Sequence, residues 1–353
     1  MGIWSIITSP QPISVCTIIL EKDWCYFYSG KVTSRGNIKD LKQFESWSPA
    51  KHIEPNATRL FEEIVRKLKS SKRKFNTIIV SMPGTIKNNS DIITSSRLGI
   101  NQPFQASTYI SSAVSNVRVV IVQDINCMLF GAQNALAIAE TMQHETTCYI
   151  VVDEGVGSAI MIDGKIHHGA GIAGHISRLV VEENGNFYQE LAQSGSLESY
   201  VSRPWISQRC VECYEFSRNF RQIEISRKET KFEKALKTAS SRNDKRRISY
   251  DLLSSGVKEE NSIAINCLKD AAKYLGKAIG SIIAISHPHR VLLAGKLITD
   301  VEKFYDNAIL SAQNHSWPAA WNSVAFEKRD NSRDDQVKGA FMLAMIENIG
   351  DVL

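Results

Sequence analysis

The sequence predicts an α/β protein of two lobes with a cleft between them, and three observations point there. The chain has 353 residues, 43% of them hydrophobic, enough to bury a large core and favouring two domains over one. Short apolar runs alternate with helical stretches in an order that is βαβ-like twice over. Several of those runs end in polar or turn residues, as buried parallel strands do when they deliver their ends to one edge of a sheet.

Each element follows from its local pattern. Residues 12–20 (PISVCTIIL) and 24–32 (WCYFYSGKV) read as a strand pair rich in β-branched and aromatic side chains, and 57–71 (ATRLFEEIVRKLKSS) as an amphipathic helix. TIIVSMPG (77–84) and VRVVIVQD (117–124) are short enough and apolar enough to be buried parallel strands. A helix is predicted over 125–142, then strands over 146–155 and 158–166 joined by a glycine turn. A long buried helix covers 261–286, an apolar strand 289–295, and a closing helix 337–350. The first lobe is accordingly placed at 1–124, completed by 337–353, and the second at 125–336.

Composition excludes some classes. The formal net charge is only +5, which permits contact with acidic partners without arguing for it. The first fifteen residues lack a basic start and a cleavage site, and no segment approaches the roughly 18 unbroken apolar residues of a membrane span, so a soluble cytoplasmic protein is expected. Of seven cysteines only Cys210 and Cys213 are closely spaced, with no second Cys or His pair at zinc-finger distance; Cys16, Cys127, Cys148 and Cys267 lie in apolar runs. Residues 203–250 are dense in Lys and Arg with acids mixed throughout, which reads as a solvated helical excursion rather than a nucleic-acid patch.

Chemistry concentrates at three places. Asp124 stands at the end of a buried strand and the start of a helix, where it either caps the helix or takes a proton in phosphoryl transfer; spacing does not separate the two. In DEGVGSA, Gly155 and Gly157 would let backbone N–H groups approach a phosphate, but a hairpin turn explains them equally, and Asp153 and Glu154 would repel a phosphate. In GAGIAGHISRL, His175 and Arg178, with Glu198 some twenty residues on, have the chemistry of a polar pocket for a sugar or sugar phosphate.

Taken together, SMPGTIKNNSDIITSSRLGI, VQDINCMLFGA, DEGVGSAIMIDGKIHHGAGIAGHI, SGSLESY and HPHRVLLAGKL resemble, in order, the motifs of the ROK family of sugar kinases and sugar-responsive repressors. The resemblance implies the two-lobed, actin-like ATPase fold. The departures concern activity. Kinases of the family open with an Asp-x-Gly-Gly-Thr loop, whereas here SPQPISVCTIILEKDWCYFYSG (9–30) has no glycine before its last residue, Gly30. The second phosphate segment usually reads Gly-Thr-Gly-x-Gly-Gly, and Asp153, Glu154 and Ser158 replace three of those positions. His175, Ser177 and Arg178 occupy the places of Glu, Gly and His in the sugar motif, the zinc-binding cysteines are missing, and Ser196 stands at the last zinc-ligand position. Asp124 matches the catalytic base and Glu198 a sugar-contacting glutamate, while Arg97 and Gln123 stand where asparagines are usual.

The openings look most like the repressor branch, in particular the N-acetylglucosamine and glucose-regulon repressors, without the helix-turn-helix domain of roughly 60 residues or more that precedes theirs. The expectation is therefore a non-catalytic, dimeric regulatory protein. It would bind a sugar or sugar-phosphate effector through Arg97, Gln123, Asp124, His175, Arg178 and Glu198, or a protein partner, and shift lobe closure or dimer geometry in response. No cofactor, no zinc and no direct DNA contact are expected. Two alternatives stand beside it: an ATP- and Mg-dependent hexose kinase with Asp124 as base, and a DNA-binding regulator using 203–250, with Lys245, Arg246 and Arg247 as its cations.

Overall fold

The computed structural model describes residues 11–33, 36–49, 56–133, 145–188, 193–220, 229–330 and 333–349. They fall into two compact units: residues 1–145, 161–173 and 332–353, and residues 146–160 and 174–331. Among the described residues no helix is long and apolar enough to cross a membrane.

The first unit is built on a five-stranded sheet of order β3-β2-β1-β4-β7. β1 (Ile13–Leu20), β2 (Cys25–Val32) and β3 (Ile38–Trp47) run antiparallel, and β1, β4 (Thr77–Met82) and β7 (Arg118–Gln123) run parallel. A small antiparallel hairpin of β5 (Thr85–Lys87) and β6 (Asp91–Thr94) follows β4. β4 is buried along its whole length because both faces of the sheet are covered, which is why its sequence is a continuous apolar run rather than an alternation. On one face Cys16, Ile18 and Leu20 of β1 pack with Leu60, Phe61, Ile64 and Leu68 of α1 (Ala57–Ser70), which starts where the Asn56 side chain accepts the Arg59 N–H. α2 (Ala106–Ala113) adds Ala106 and Ile110 to the same core.

α3 (Asp124–Ala132) opens directly from β7 and packs against the last helix of the chain, Arg333–Ile349, which also lies on β1 and β4. The crossing is so close that a Cβ on Gly131 would fall 1.7 Å from the Asp335 carbonyl oxygen, and one on Gly339 1.8 Å from that of Cys127. This contact carries the first unit past the boundary expected at residue 124, as far as residue 145, and residues 161–173 also group with it. The helix expected over 125–142 is described to Ala132; positions 134–142 lie outside the described residues.

The second unit carries a sheet of order β10-β9-β8-β13-β14, in which β8 (Thr146–Val152), β13 (Arg290–Ala294) and β14 (Ala325–Arg329) are parallel, while β9 (Val156–Ile162) and β10 (Lys165–Ile166) form an antiparallel hairpin. A smaller hairpin pairs β11 (Phe187–Tyr188) with β12 (Gln193–Ser194). Its helices, numbered on from α3, are α4 (Arg203–Phe220), α5 (Lys231–Ser241), α6 (Tyr250–Lys258), α7 (Ser262–Ser286) and α8 (Glu302–Asn314). α9 is the final helix, Arg333–Ile349, of the first unit. α7 is the spine of the second core, with Leu268, Ala272, Leu275 and Ile279 buried in it, and its start is capped by Asn261, which accepts the Ile263 and Ala264 N–H groups.

The stretch 203–250 holds α4 and α5 and is helical, as its charge pattern predicts; positions 221–228 lie outside the described residues. Thr230 and Glu233 form a capping box at the start of α5.

Candidate functional site

In the first unit β7 ends on Gln123, an extended residue at the N-cap of α3, and Asp124 is the first helical residue. The Asp124 carboxylate accepts the Ile125 N–H at 2.8 Å, so the helix-start role is real, and a negative charge suits the positive end of α3. Burial pushes the carboxyl above its ordinary value, while the Arg97 guanidinium pulls the other way. The structure therefore brings Arg97 and Asp124 within electrostatic reach of one another. Gln123 is engaged differently: its amide donates to the Gly84 carbonyl at 2.8 Å and steadies the turn after β4. Ser95 does the same from the other side, donating to the Pro83 carbonyl at 2.6 Å.

The turn between β1 and β2 lies where the family's first phosphate loop would be. It is tied by the Glu21 N–H to the Trp24 carbonyl at 2.8 Å. Its Glu21 carboxylate receives the Arg333 guanidinium at 2.8 Å, and that guanidinium also stacks over the Tyr26 ring at 3.7 Å. This turn has no glycine.

In the second unit the turn Asp153–Gly155 links β8 to β9 and closes with the Asp153 N–H on the Gly155 carbonyl at 2.8 Å. Glu198, the expected sugar contact, accepts the Val156 N–H at 2.9 Å through one carboxylate oxygen. Gly157 lies half-buried one residue further along β9. Glu154 is held by a two-pronged ion pair with Arg203: Nη2 donates to Oε2 at 2.6 Å and Nε to Oε1. The remaining Arg203 donors reach the carbonyls of Arg246 at 2.9 Å and Ile248 at 2.8 Å.

His175 is half-buried just before a short 3-10 turn, Ile176–Arg178, and burial with the neighbouring Arg178 charge lowers its pKa. Arg178 is exposed, and its carbonyl accepts the Gln193 amide at 2.9 Å. The loop where the family carries zinc is held by backbone bonds instead, among them Val181 N–H to the Gly195 carbonyl at 2.9 Å. Ser196, at the last ligand position, has a buried hydroxyl with no hydrogen-bond partner among the described residues. A hydroxyl stranded where a thiolate would stand does not make a zinc donor, and among the described residues no three His, Cys, Asp or Glu cluster to hold a metal.

Sequence reasoning missed Arg203, whose partner lies 49 residues upstream, and the third thiol beside the Cys210/Cys213 pair: Cys267 Sγ of α7 is 3.9 Å from Cys213 Sγ. Burial raises the Cys213 thiol to about 11. Several cations of 203–250 are engaged, while Arg209, Arg218, Lys231, Lys234 and Arg242 have no carboxylate partner among the described residues. Lys245 meets Glu215 at 2.7 Å, Lys237 meets Glu229 at 3.0 Å, Arg247 lies 3.6 Å from Asp244, and Arg246 stacks over Trp205 at 4.3 Å.

Comparison with known proteins agrees on the fold. Among curated proteins none matches by sequence. A ROK-family transcriptional regulator, homologue of the E. coli MLC protein, superposes with a TM-score of 0.73 at 13% identity, over 95% of this chain and 79% of its own. The ROK hexokinase of Thermus thermophilus gives 0.71 at 14% identity over 95% and 99%, and a ROK glucokinase of Streptomyces griseus, solved with glucose and AMPPNP, 0.67 at 14% over 94% and 98%. Regulators and kinases thus share this architecture. The ROK family profile matches residues 30–347, nearly the whole chain, and the protein belongs to the ROK family.

Proposed function

We propose that the protein is a non-catalytic, regulatory member of its family that binds a sugar or sugar-phosphate effector. One observation carries the reading. At both turns where the family's kinases hold the phosphates of ATP, this chain places a glutamate ion-paired to an arginine of its own unit, Glu21 with Arg333 and Glu154 with Arg203. An incoming phosphate would meet a carboxylate at each turn, and the arginine that might have received it is already engaged. The residues present do not suit a nucleoside triphosphate.

Effector recognition in the first unit falls to Asp124, Gln123 and Arg97. Asp124 accepts hydroxyl protons in hydrogen bonds, and Arg97 suits an anionic substituent. A second reading, a hexose kinase, draws support from Asp124 alone, because a carboxyl raised by burial is the better general base.

Thermal unfolding of the purified chain with glucose, N-acetylglucosamine and their 6-phosphates, and separately with Mg-ATP, tests the proposal. A ligand at about 100 times its dissociation constant adds roughly 2.7 kcal/mol of stability. The expected result is a shift with one of the sugars or sugar phosphates, reduced in Asp124→Asn, and none with Mg-ATP. A shift with Mg-ATP, together with sugar-dependent ADP release that Asp124→Asn abolishes, would replace the regulatory reading by the kinase.

A further inference from the structure

At the opposite end of β1 and β2 from the Glu21 turn, the first unit has an open surface groove of about 570 Å³. Its walls carry Lys31, Lys42, Arg73 and Lys74 against a single acid, Asp40. A β-bulge shapes it: Ser29 pairs with Lys42 and Lys31 with Lys39, so Asp40 and Leu41 stand opposite Gly30 alone. Asp40 takes a left-handed backbone (φ 56°) in doing so, and Lys72, at the groove's other lip, does likewise (φ 52°).

Arg73 is preorganised. Its guanidinium donates to the Ser29 hydroxyl at 3.2 Å and lies 4.7 Å from the Phe44 ring centroid. Beside it the backbone of Lys74 is fixed to β1, accepting the Ser14 hydroxyl at 3.2 Å, with Asn76 bonded to Ser14 in both directions. Lys31, Lys42 and Lys74 have no carboxylate partner among the described residues. The nearby Glu45 is engaged by Lys67 at 3.5 Å. Lys39, paired with Lys31 across β2 and β3, and Lys72, next to Arg73 in the chain, are exposed as well.

We propose that this groove binds the phosphodiester backbone of a nucleic acid. The site holds more uncompensated cations than one small anion requires, and they continue in sequence and across strands past the groove's edge, as a chain of phosphates demands. A guanidinium held by a hydroxyl and an aromatic face keeps its remaining donors in a planar fork that matches a phosphate. The partner is recognised by charge and not by sequence, since the groove offers no element to read base edges. This inference is independent of the effector reading.

The test is fluorescence anisotropy of a labelled, mixed-sequence DNA duplex titrated with the full chain over a series of salt concentrations. The logarithm of the affinity should fall linearly with that of the salt, with a slope of about −3.6 if the four groove cations each neutralise one phosphate. Lys42→Glu with Lys74→Glu should lower affinity by about tenfold or more and halve the slope. Lys269→Glu with Lys273→Glu on the exposed face of α7 makes the same charge change and should leave binding within about twofold. Absence of duplex binding at low salt, an equal loss in the α7 control, or complete competition by inorganic phosphate at matched phosphate concentration, which marks a small-anion site only, would each overturn it.

Discussion

The chain has two basic regions, and they differ in a way that their composition conceals. Residues 203–250 look the more cationic in sequence, yet about half of their described charges are met at home, among them Arg203 by Glu154 and two carbonyls, Lys245 by Glu215 and Arg246 by the Trp205 face. The groove around Arg73 draws its cations from β2, β3 and the segment after α1, and leaves most of them unpaired. Lysine density thus measures potential only after each partner has been subtracted.

The sharpest way to break this contrast is Arg203→Ala. The substitution removes the charged partner of Glu154 and the donors to the carbonyls of Arg246 and Ile248, and should cost about 1–2 kcal/mol in denaturant unfolding. A loss near zero would mean the paired region is not held by its pairs. A smaller effect is expected with pH. Hydrogen bonds from Lys245 and Ser240 hold the Glu215 carboxyl below its ordinary 4.5, so the contribution is present above that value and lost as pH falls through the folded-state pKa. The thermal midpoint of Glu215→Gln should therefore fall less steeply below pH 4.5 than that of the parent chain. Smallest of all, Lys42→Gln should stabilise the chain at low salt by less than about 0.5 kcal/mol through relief of like-charge repulsion, and the gain should vanish at high salt. A stability loss at low salt would reveal a partner for Lys42 and erase the distinction.

The same subtraction explains what was legible in the sequence. β1, β4, β8 and β13 are apolar runs because they lie in sheet interiors, and β7, though an edge strand, is buried along its middle; each was readable as a strand. β3 and β14 are sheet edges; Ile38–Trp47 is mostly exposed and heavily charged, so its pattern carries no strand signal. Asp124 was legible because strand end and helix start are local. Its two candidate roles were not separable by spacing, and the structure shows a carboxylate that serves the helix start and is still raised by burial. The Arg203–Glu154 pair and the Val156–Glu198 bond span 49 and 42 residues, and the groove gathers cations from three segments, so all three exist only once the chain is folded.

The glycine-to-backbone crossing of α3 and α9 also sets an order of events during synthesis. α9 closes over β1 and β4, both far earlier in the chain, and its Gln336 amide bonds the Ser81 hydroxyl at 2.9 Å within that core. The second unit's strands and helices are complete by Arg329, before the helix that seals the first has left the ribosome. The lobe whose strands are translated first is the one whose core is completed last, since one face of its sheet is covered only by α9.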